Sequence, residues 1–158
     1  MNWVWHQVLR PAAPAAFGFL DHDIFPTAPD DPFTTLAGLP FFGDIREAGA
    51  RWFLWAGYCF FDFAKVGREP LDFRPDWFIG LDTGGGNWAP LYRHFDQARL
   101  PVRLGRTLPA FDEVPHADAY YAWHGMWLHE VGVSGDRAFK GRKRALTAEL
   151  LAPHLDGT

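Results

Sequence analysis

Three consecutive glycines, Gly84, Gly85 and Gly86, constrain the fold of this chain more than any other feature of its sequence. An apolar and aromatic run from Trp77 to Leu81 precedes them, and a second apolar run from Trp88 to Tyr92 follows them. Glycine reaches positive φ at little steric cost, but it loses more conformational entropy on ordering than any other residue. Three in a row therefore predict a loop that takes an unusual path or that another stretch of backbone approaches closely.

The residues around the glycines predict an antiparallel meander. Five turn-favouring residues, 83–87, separate the two apolar runs, which is typical of a β-hairpin. We predict strands at 77–82, 88–95 and 101–106, joined by short turns. The predicted fold class is α+β, with a central antiparallel sheet (the meander at 77–106) packed with a few helices, and residues 1–158 are expected to form a single domain.

The N-terminal half gives weaker patterns. Alternating side chains predict strands at 2–9 and 17–25, and the prolines and glycines of residues 26–43 predict irregular structure. Asp44 and Glu47 have the spacing of a capping box, which favours a short helix at 44–50. We predict a strand at about 52–63, although this aromatic segment fits a continued helix equally well.

The C-terminal part predicts two helices. Residues 118–131 place Tyr121, His124 and Leu128 on one helical face, with Gly132 where a C-cap belongs. A last helix is expected from about Thr147 to His154.

Composition and charge narrow the class of protein. A hydrophobic content of 48% with 17% aromatic residues excludes a fully disordered chain. The net charge of −4 argues against a nucleic-acid or anionic-membrane binder. The longest apolar run, Trp52 to Phe61, is about half of what a membrane span requires, and the N-terminus lacks the pattern of a secretory signal. The single Cys59 cannot form an internal disulfide, so we expect a cytoplasmic protein.

The segment of about residues 75–108 resembles the SUKH superfamily. The likeness lies in an apolar strand that enters an acidic residue, a glycine-rich loop, and two later strand segments. Its parts are Trp77-Phe-Ile-Gly-Leu, Asp82, Gly84-Gly85-Gly86-Asn87, Leu91-Tyr92 and Pro101-Val102. Many members of that superfamily are bacterial immunity proteins that neutralise polymorphic toxins. The resemblance implies an α+β fold around an antiparallel sheet, no catalysis and a protein partner.

The one dense group of metal-capable side chains in the sequence contains histidines 116, 124 and 129 together with Glu113, Asp118 and Glu130. Zinc sites on one helix require ligands on one face, such as the i and i+4 spacing of His-Glu-x-x-His. His124 and His129 are five residues apart, so on a helix they diverge by about 140°. We therefore favour core or interface positions for these histidines.

Other chemical sites are not supported by the sequence. The carboxylates of Asp21-His22-Asp23 would share one face of a strand, but no metal or nucleotide motif accompanies them. The glycine run does not lead into a helix, as a phosphate-binding loop would. Ser134 is the only serine and lies in a turn-like sequence rather than a nucleophile elbow. We expect no cofactor and no catalytic residues.

Charge and aromatic content favour recognition of a protein. Residues 136–144 carry five basic side chains and one acidic one, so with −4 overall the remaining residues sum to −8. An acidic body suits a partner with a basic face, such as a nuclease toxin. Tryptophan is enriched at binding hot spots. The residues predicted to bind a partner are Asp82, Gly84, Gly85, Gly86, Asn87, Trp88, Trp123 and Trp127.

The sequence thus favours a non-catalytic cytoplasmic protein-binding module, in its concrete form an immunity protein that occludes a bacterial toxin. One alternative is a small-ligand or metal-binding protein, or an enzyme, that uses the region of His116, His124 and His129. Another is a phage-type structural or assembly protein.

Overall fold

The computed structural model describes residues 1–100, 108–109, 120–131 and 137–155. The fold class is α+β, as the sequence predicts, with antiparallel sheets and helices in the described residues. The chain divides into two compact units, the first formed by Met1–Asp21 and Asp31–Arg103 and the second by His22–Asp30 and Leu104–Thr158. Each is described separately, and the expectation of one domain over 1–158 stays a prediction.

The first unit is built on a three-stranded antiparallel sheet. Its strands are β1 (Ala16–Leu20), β3 (Phe41–Ala48) and β4 (Arg51–Asp62). The order is β1-β4-β3, so β4 is central and pairs with both neighbours. The predicted strand at 52–63 is confirmed as β4, whose near-continuous apolar run suits a strand buried along most of its length.

The helix predicted at 44–50 is wrong, because these residues lie in β3 and its turn. The Asp44 carboxylate accepts a hydrogen bond from Arg46 Nε at 2.7 Å instead of capping a helix. Ala48 pairs with Arg51 across a two-residue turn in which Gly49 has a φ of 63°. Pairing with β4 buries Phe41 and Phe42, and this tertiary gain outweighs the local capping signal.

The N-terminus is helical, so the strand predicted at 2–9 is also wrong. It comprises α1 (Asn2–Val4), a π-helical segment (Trp5–Leu9) and α2 (Arg10–Ala12). Trp5 is fully buried, and Leu9 packs against the same core. Residues 2, 5 and 9 share one helical face; Asn2 on that face donates a hydrogen bond to Asp72 Oδ1 and accepts one from Phe73 N, each at 2.7 Å.

The meander predicted at 77–106 is not formed by its described part, residues 77–100. This stretch contains short 3-10 turns, and residues 101–106, the third predicted strand, lie outside the described residues. The turns are Trp77–Ile79, Gly85–Asn87, Tyr92–His94 and Gln97–Arg99. Leu81, Leu91 and Tyr92 are buried in the core of the first unit, so the apolar runs reflect burial rather than strand pairing.

Aromatic side chains fill the core of the first unit. Phe17 stacks on Phe61 with ring centroids 5.0 Å apart. Phe73 packs edge-on against Phe61, and Trp5 packs against Phe17 in a tilted arrangement. The segment that leads out of β4 continues through the short helix α3 (Phe63–Val66). The region predicted to be irregular, 26–43, contains the 3-10 turn Pro32–Leu36 and the start of β3.

The second unit holds a four-stranded antiparallel sheet of order β2-β7-β6-β5. Its strands are β2 (Ile24–Pro26), β5 (Leu108–Pro109), β6 (Tyr120–His124) and β7 (Trp127–Glu130). The helix predicted at 118–131 is therefore wrong over its described residues, because β6 and β7 form a hairpin. The strand predicted at 17–25 is two strands, β1 and β2, in different units.

Helix α4 (Arg137–Leu155) completes the second unit and begins well before the predicted Thr147. Tyr121 contacts this helix: its hydroxyl donates a hydrogen bond to Lys143 O at 2.8 Å and lies 2.8 Å from Thr147 Oγ1. Among the described residues, no helix is long and apolar enough to span a membrane.

Candidate functional site

The glycine run, Gly84 to Gly86, passes close to the protein's own backbone. An added Cβ would lie 2.5 Å from Leu54 O at Gly84, 2.2 Å from Leu81 Cβ at Gly85 and 2.7 Å from Asp72 O at Gly86. Gly84 also has a φ of 96°. The run is held by hydrogen bonds from Gly84 N to Phe73 O and from Gly86 N to Arg74 O. Close approach, one of the two reasons the sequence suggests for three glycines, explains them.

The other residues predicted beside the glycines differ in exposure. Asn87 is fully buried and accepts a hydrogen bond from Asp72 N at 2.7 Å. Trp88 is half-buried, with its ring centroid 6.4 Å from that of Trp52. Asp82 is exposed, and its carboxylate accepts a hydrogen bond from Thr83 N. Of this group, Asp82 therefore offers the most accessible side chain for a partner.

A tight loop immediately before the glycine run presents two aromatic side chains to solvent. We call residues 76–81 the aromatic loop. Asp76 and Leu81 form an isolated bridge, with hydrogen bonds from Asp76 N to Leu81 O at 2.8 Å and from Leu81 N to Asp76 O at 3.0 Å. Gly80 has a φ of 75°, which lets the chain reverse. Because Leu81 is fully buried in the core, the base of the loop is anchored.

Trp77 and Phe78 lie at the tip of the aromatic loop. Trp77 is 68% exposed and Phe78 is fully exposed. Together they leave more aromatic surface in water than an isolated exposed leucine would, and aromatic side chains dominate interface energetics when they become buried. The backbone hydrogen bonds across the loop fix the path of the main chain at both residues, which lowers the backbone entropy lost on binding.

A shallow groove of about 210 Å³ borders the aromatic loop at Gly80. Its other lining residues are Arg46, Glu47, Phe53, Trp55 and Asp82. The Arg46 guanidinium is ion-paired with Asp44 at 2.7 Å and lies 5.1 Å from the centre of the Trp55 ring. Among the described lining residues Arg46 is the one cation, and it is already paired, so the groove and the loop present an acidic surface through Glu47, Asp76 and Asp82.

The two predicted tryptophans of the C-terminal region lie on the β6–β7 hairpin of the second unit. Trp123 and Trp127 are half-buried. The Trp127 Nε1 atom donates a hydrogen bond to Asp30 Oδ2 at 2.8 Å, so its polar edge is occupied within the same unit.

The hairpin also brings two of the predicted histidines together. His124 Nε2 lies 3.4 Å from His129 Nδ1, and His129 Nε2 lies 3.7 Å from Asp23 Oδ1. His129 therefore uses its two nitrogens toward two different groups, and the three side chains form a line rather than converging on one point. His116, the third predicted histidine, lies outside the described residues.

Comparison with family models, with curated proteins and with solved structures finds no match to this chain. Inference about function therefore depends on the geometry of the two units themselves.

Trp77 and Phe78 are surface residues, although the apolar run that contains them predicts a strand at 77–82. A signal was present: Pro75-Asp76 is a turn-favouring pair, and Gly80 closes the apolar stretch after only three residues. Glu130, which the sequence groups with the predicted histidines, is buried in the second unit and lines a cavity there.

Proposed function

We propose that this chain is a non-catalytic cytoplasmic protein-binding module whose first unit contacts its partner through the aromatic loop. The observation that carries the proposal is the pair Trp77 and Phe78, exposed on a loop whose two ends are hydrogen-bonded and whose base is anchored in the core. An aromatic pair on a backbone held in this way fits an apolar pocket on another protein and needs little backbone ordering on binding.

The acidic residues around the aromatic loop favour one kind of partner. Asp76 and Asp82 flank the loop tip, and Glu47 lines the adjoining groove. Acidic residues around an aromatic tip oppose an anionic lipid surface and favour a protein with a basic rim around an apolar pocket. The fitting partner is a basic protein.

A bacterial toxin is the specific partner that the resemblance of residues 75–108 implies, and nuclease toxins have basic faces. In this form of the proposal the chain is an immunity protein that binds the toxin and occludes its active face. Asp82 would contribute at the rim, while the glycine run and Asn87 would fix the path of the backbone beneath it.

Co-expression with the products of the adjacent genes tests this function. We expect the wild-type chain to form a complex with one product and, where that product is toxic, to restore growth. Replacing an anchoring aromatic residue commonly costs about 2 kcal/mol or more, roughly 30-fold in affinity, so the double variant Trp77→Ala, Phe78→Ala should lose both effects.

Trp3→Ala provides a matched control, because Trp3 is 71% exposed in the same unit but lies in α1. This variant should bind and rescue as the wild type does. Equal loss in the Trp3 variant and the loop variant would contradict the proposal, as would symmetric self-association that depends on Trp77 and Phe78. The latter result would favour an assembly protein.

A further inference from the structure

The second unit contains a cavity that is separate from the aromatic loop and independent of its proposed function. Its volume is about 340 Å³, at the small end of the range for sites that bind organic molecules. Segment 22–25, the end of β7 and the helix α4 form its walls. The lining side chains are His22, Asp23, Phe25, Glu130, Arg144, Thr147, Ala148 and Leu151.

The main evidence that this cavity binds a ligand is the residue Glu130. It is only 6% exposed and lines the cavity, and its Oε1 atom receives no hydrogen bond from any described residue. A buried carboxylate oxygen without a donor is costly, because the solvation it loses is not replaced. Such a group is stable in a fold when a ligand or another cation supplies the missing donor.

The position of Glu130 is fixed by the fold. Its backbone N–H donates a hydrogen bond to Asp23 O at 2.9 Å, which joins the end of β7 to the segment before β2. Glu130 also pairs with Tyr121 in the β6–β7 register. Burial raises the pKa of the Tyr121 hydroxyl, and the nearby charge of Glu130 raises it further. The carboxylate is thus held beside the cavity by backbone contacts rather than by a partner for its Oε1 atom.

The remaining walls define the chemical class of the ligand. Asp23 and Glu130 give two carboxylates and Arg144 gives one guanidinium, so with neutral histidine the lining carries a formal charge of −1. Phe25, Ala148 and Leu151 provide an apolar wall. A ligand that has one positive charge, several N–H donors and a short hydrocarbon body would match both the negative charge and the apolar wall of the cavity.

We propose that this cavity binds a small primary ammonium compound with an apolar tail, its ammonium group pairing with the carboxylate of Glu130. The tail would lie against Phe25 and Leu151. A lone divalent ion would leave this apolar wall without a contact, so an organic monocation is the better fit.

Isothermal titration of the full chain with n-pentylammonium chloride tests the proposal. We expect saturable binding at one site, with 1-pentanol and pentanoate each weaker by about tenfold or more, because a hydrogen bond to a charged group contributes that much. Equal binding of 1-pentanol, or no binding of the ammonium, would overturn the proposal. Displacement of the ammonium by a stoichiometric divalent ion would also overturn it, in favour of a metal site.

Three variants locate the site. Glu130→Gln keeps the shape of the side chain and should weaken binding by about tenfold or more. Glu149→Gln removes the same charge from an exposed position of α4 and should bind as the wild type does. Leu151→Trp fills the cavity from its apolar wall without changing its charge, and it should also abolish binding. Wild-type affinity in both Glu130→Gln and Leu151→Trp would show that the ammonium binds elsewhere.

Discussion

The Nε2 atom of His124 lies 3.4 Å from the Nδ1 atom of His129 because the two residues are diagonal neighbours on one face of a hairpin. On the helix that the sequence predicted, residues five apart would diverge. His124 pairs with Trp127 across the turn, and His129 is the next residue of β7 on the same face. Gly125, with a φ of 63°, permits the two-residue turn that joins the strands.

This relationship predicts a structural role for His124. The side chain is 2% exposed, so replacing it with alanine leaves a cavity and removes the contact of His129. We expect His124→Ala to lower the free energy of unfolding by about 1–3 kcal/mol, measured by urea denaturation. Met126→Ala at the exposed tip of the same turn should change stability by no more than about 0.5 kcal/mol. Equal stability of the two variants would contradict this role.

Gly85 is expected to tolerate no side chain. A Cβ there would lie 2.2 Å from Leu81 Cβ, a fully buried atom at the base of the aromatic loop. Gly85→Ala should therefore destabilise the protein by about 1–3 kcal/mol through overpacking. Gly141→Ala in α4 meets no atom within 4 Å and should stabilise it by about 0.5–1 kcal/mol. Thermal melting of both variants checks this: the melting temperature should fall for Gly85→Ala and rise for Gly141→Ala.

Two neighbouring apolar residues of the aromatic loop are expected to differ sharply in how much they contribute to stability. Leu81 is fully buried and Phe78 is fully exposed, although they are only three positions apart. Leu81→Ala should cost about 2–5 kcal/mol of stability through loss of core packing. Phe78→Ala should leave stability within about 0.5 kcal/mol of the wild type. Chemical denaturation distinguishes them, and a large loss with Phe78→Ala would show that its ring packs on the protein.

Asp72 makes the stability of the protein depend on pH in the acid range. Its carboxylate accepts hydrogen bonds from Arg74 and Asn2, and the Arg74 side chain is the main reason that its pKa lies well below the ordinary 3.8. A carboxylate whose pKa is lower in the folded state than in the unfolded state stabilises the fold at pH values above its unfolded-state pKa. This stabilisation is lost as the pH falls through the folded-state pKa. Asp72→Asn should therefore be less stable than the wild type at about pH 7, and the difference should narrow at about pH 2.5. Urea unfolding at both pH values measures it, and a constant difference would contradict the prediction.

Cys59 should be unreactive in the folded protein. It lies in the central strand β4 and is 1% exposed, and burial raises the pKa of its thiol far above the ordinary value. Low exposure blocks access of a reagent, and the raised pKa suppresses the thiolate, which is the reactive form. Dithionitrobenzoate should therefore modify the native chain very slowly and the guanidinium-unfolded chain at once. Rapid reaction of the native chain would show that β4 opens readily.

Local sequence patterns predicted some elements and misplaced others for identifiable reasons. The aromatic run of β4 and the turn-rich character of residues 26–43 follow from composition alone. The two hairpins were not predicted because their turns carry only a short Gly-X signal, Gly49-Ala50 and Gly125-Met126, within segments whose residue spacing also fits a helix. The capping signal at Asp44 failed because strand pairing buries Phe41 and Phe42, which no local pattern records.

The sequence by itself determined the α+β class, the aromatic character of the core and a loop at three successive glycines that either follows an unusual path or is closely approached by another part of the chain. These follow from residue chemistry that acts over short stretches of chain. Only the tertiary structure decided that Trp77 and Phe78 are exposed while Leu81 is buried, and that Glu130 lines a cavity with Asp23. Burial and the meeting of Glu130 with Asp23 at one cavity depend on contacts between segments far apart in sequence, and local periodicity carries no information about those contacts.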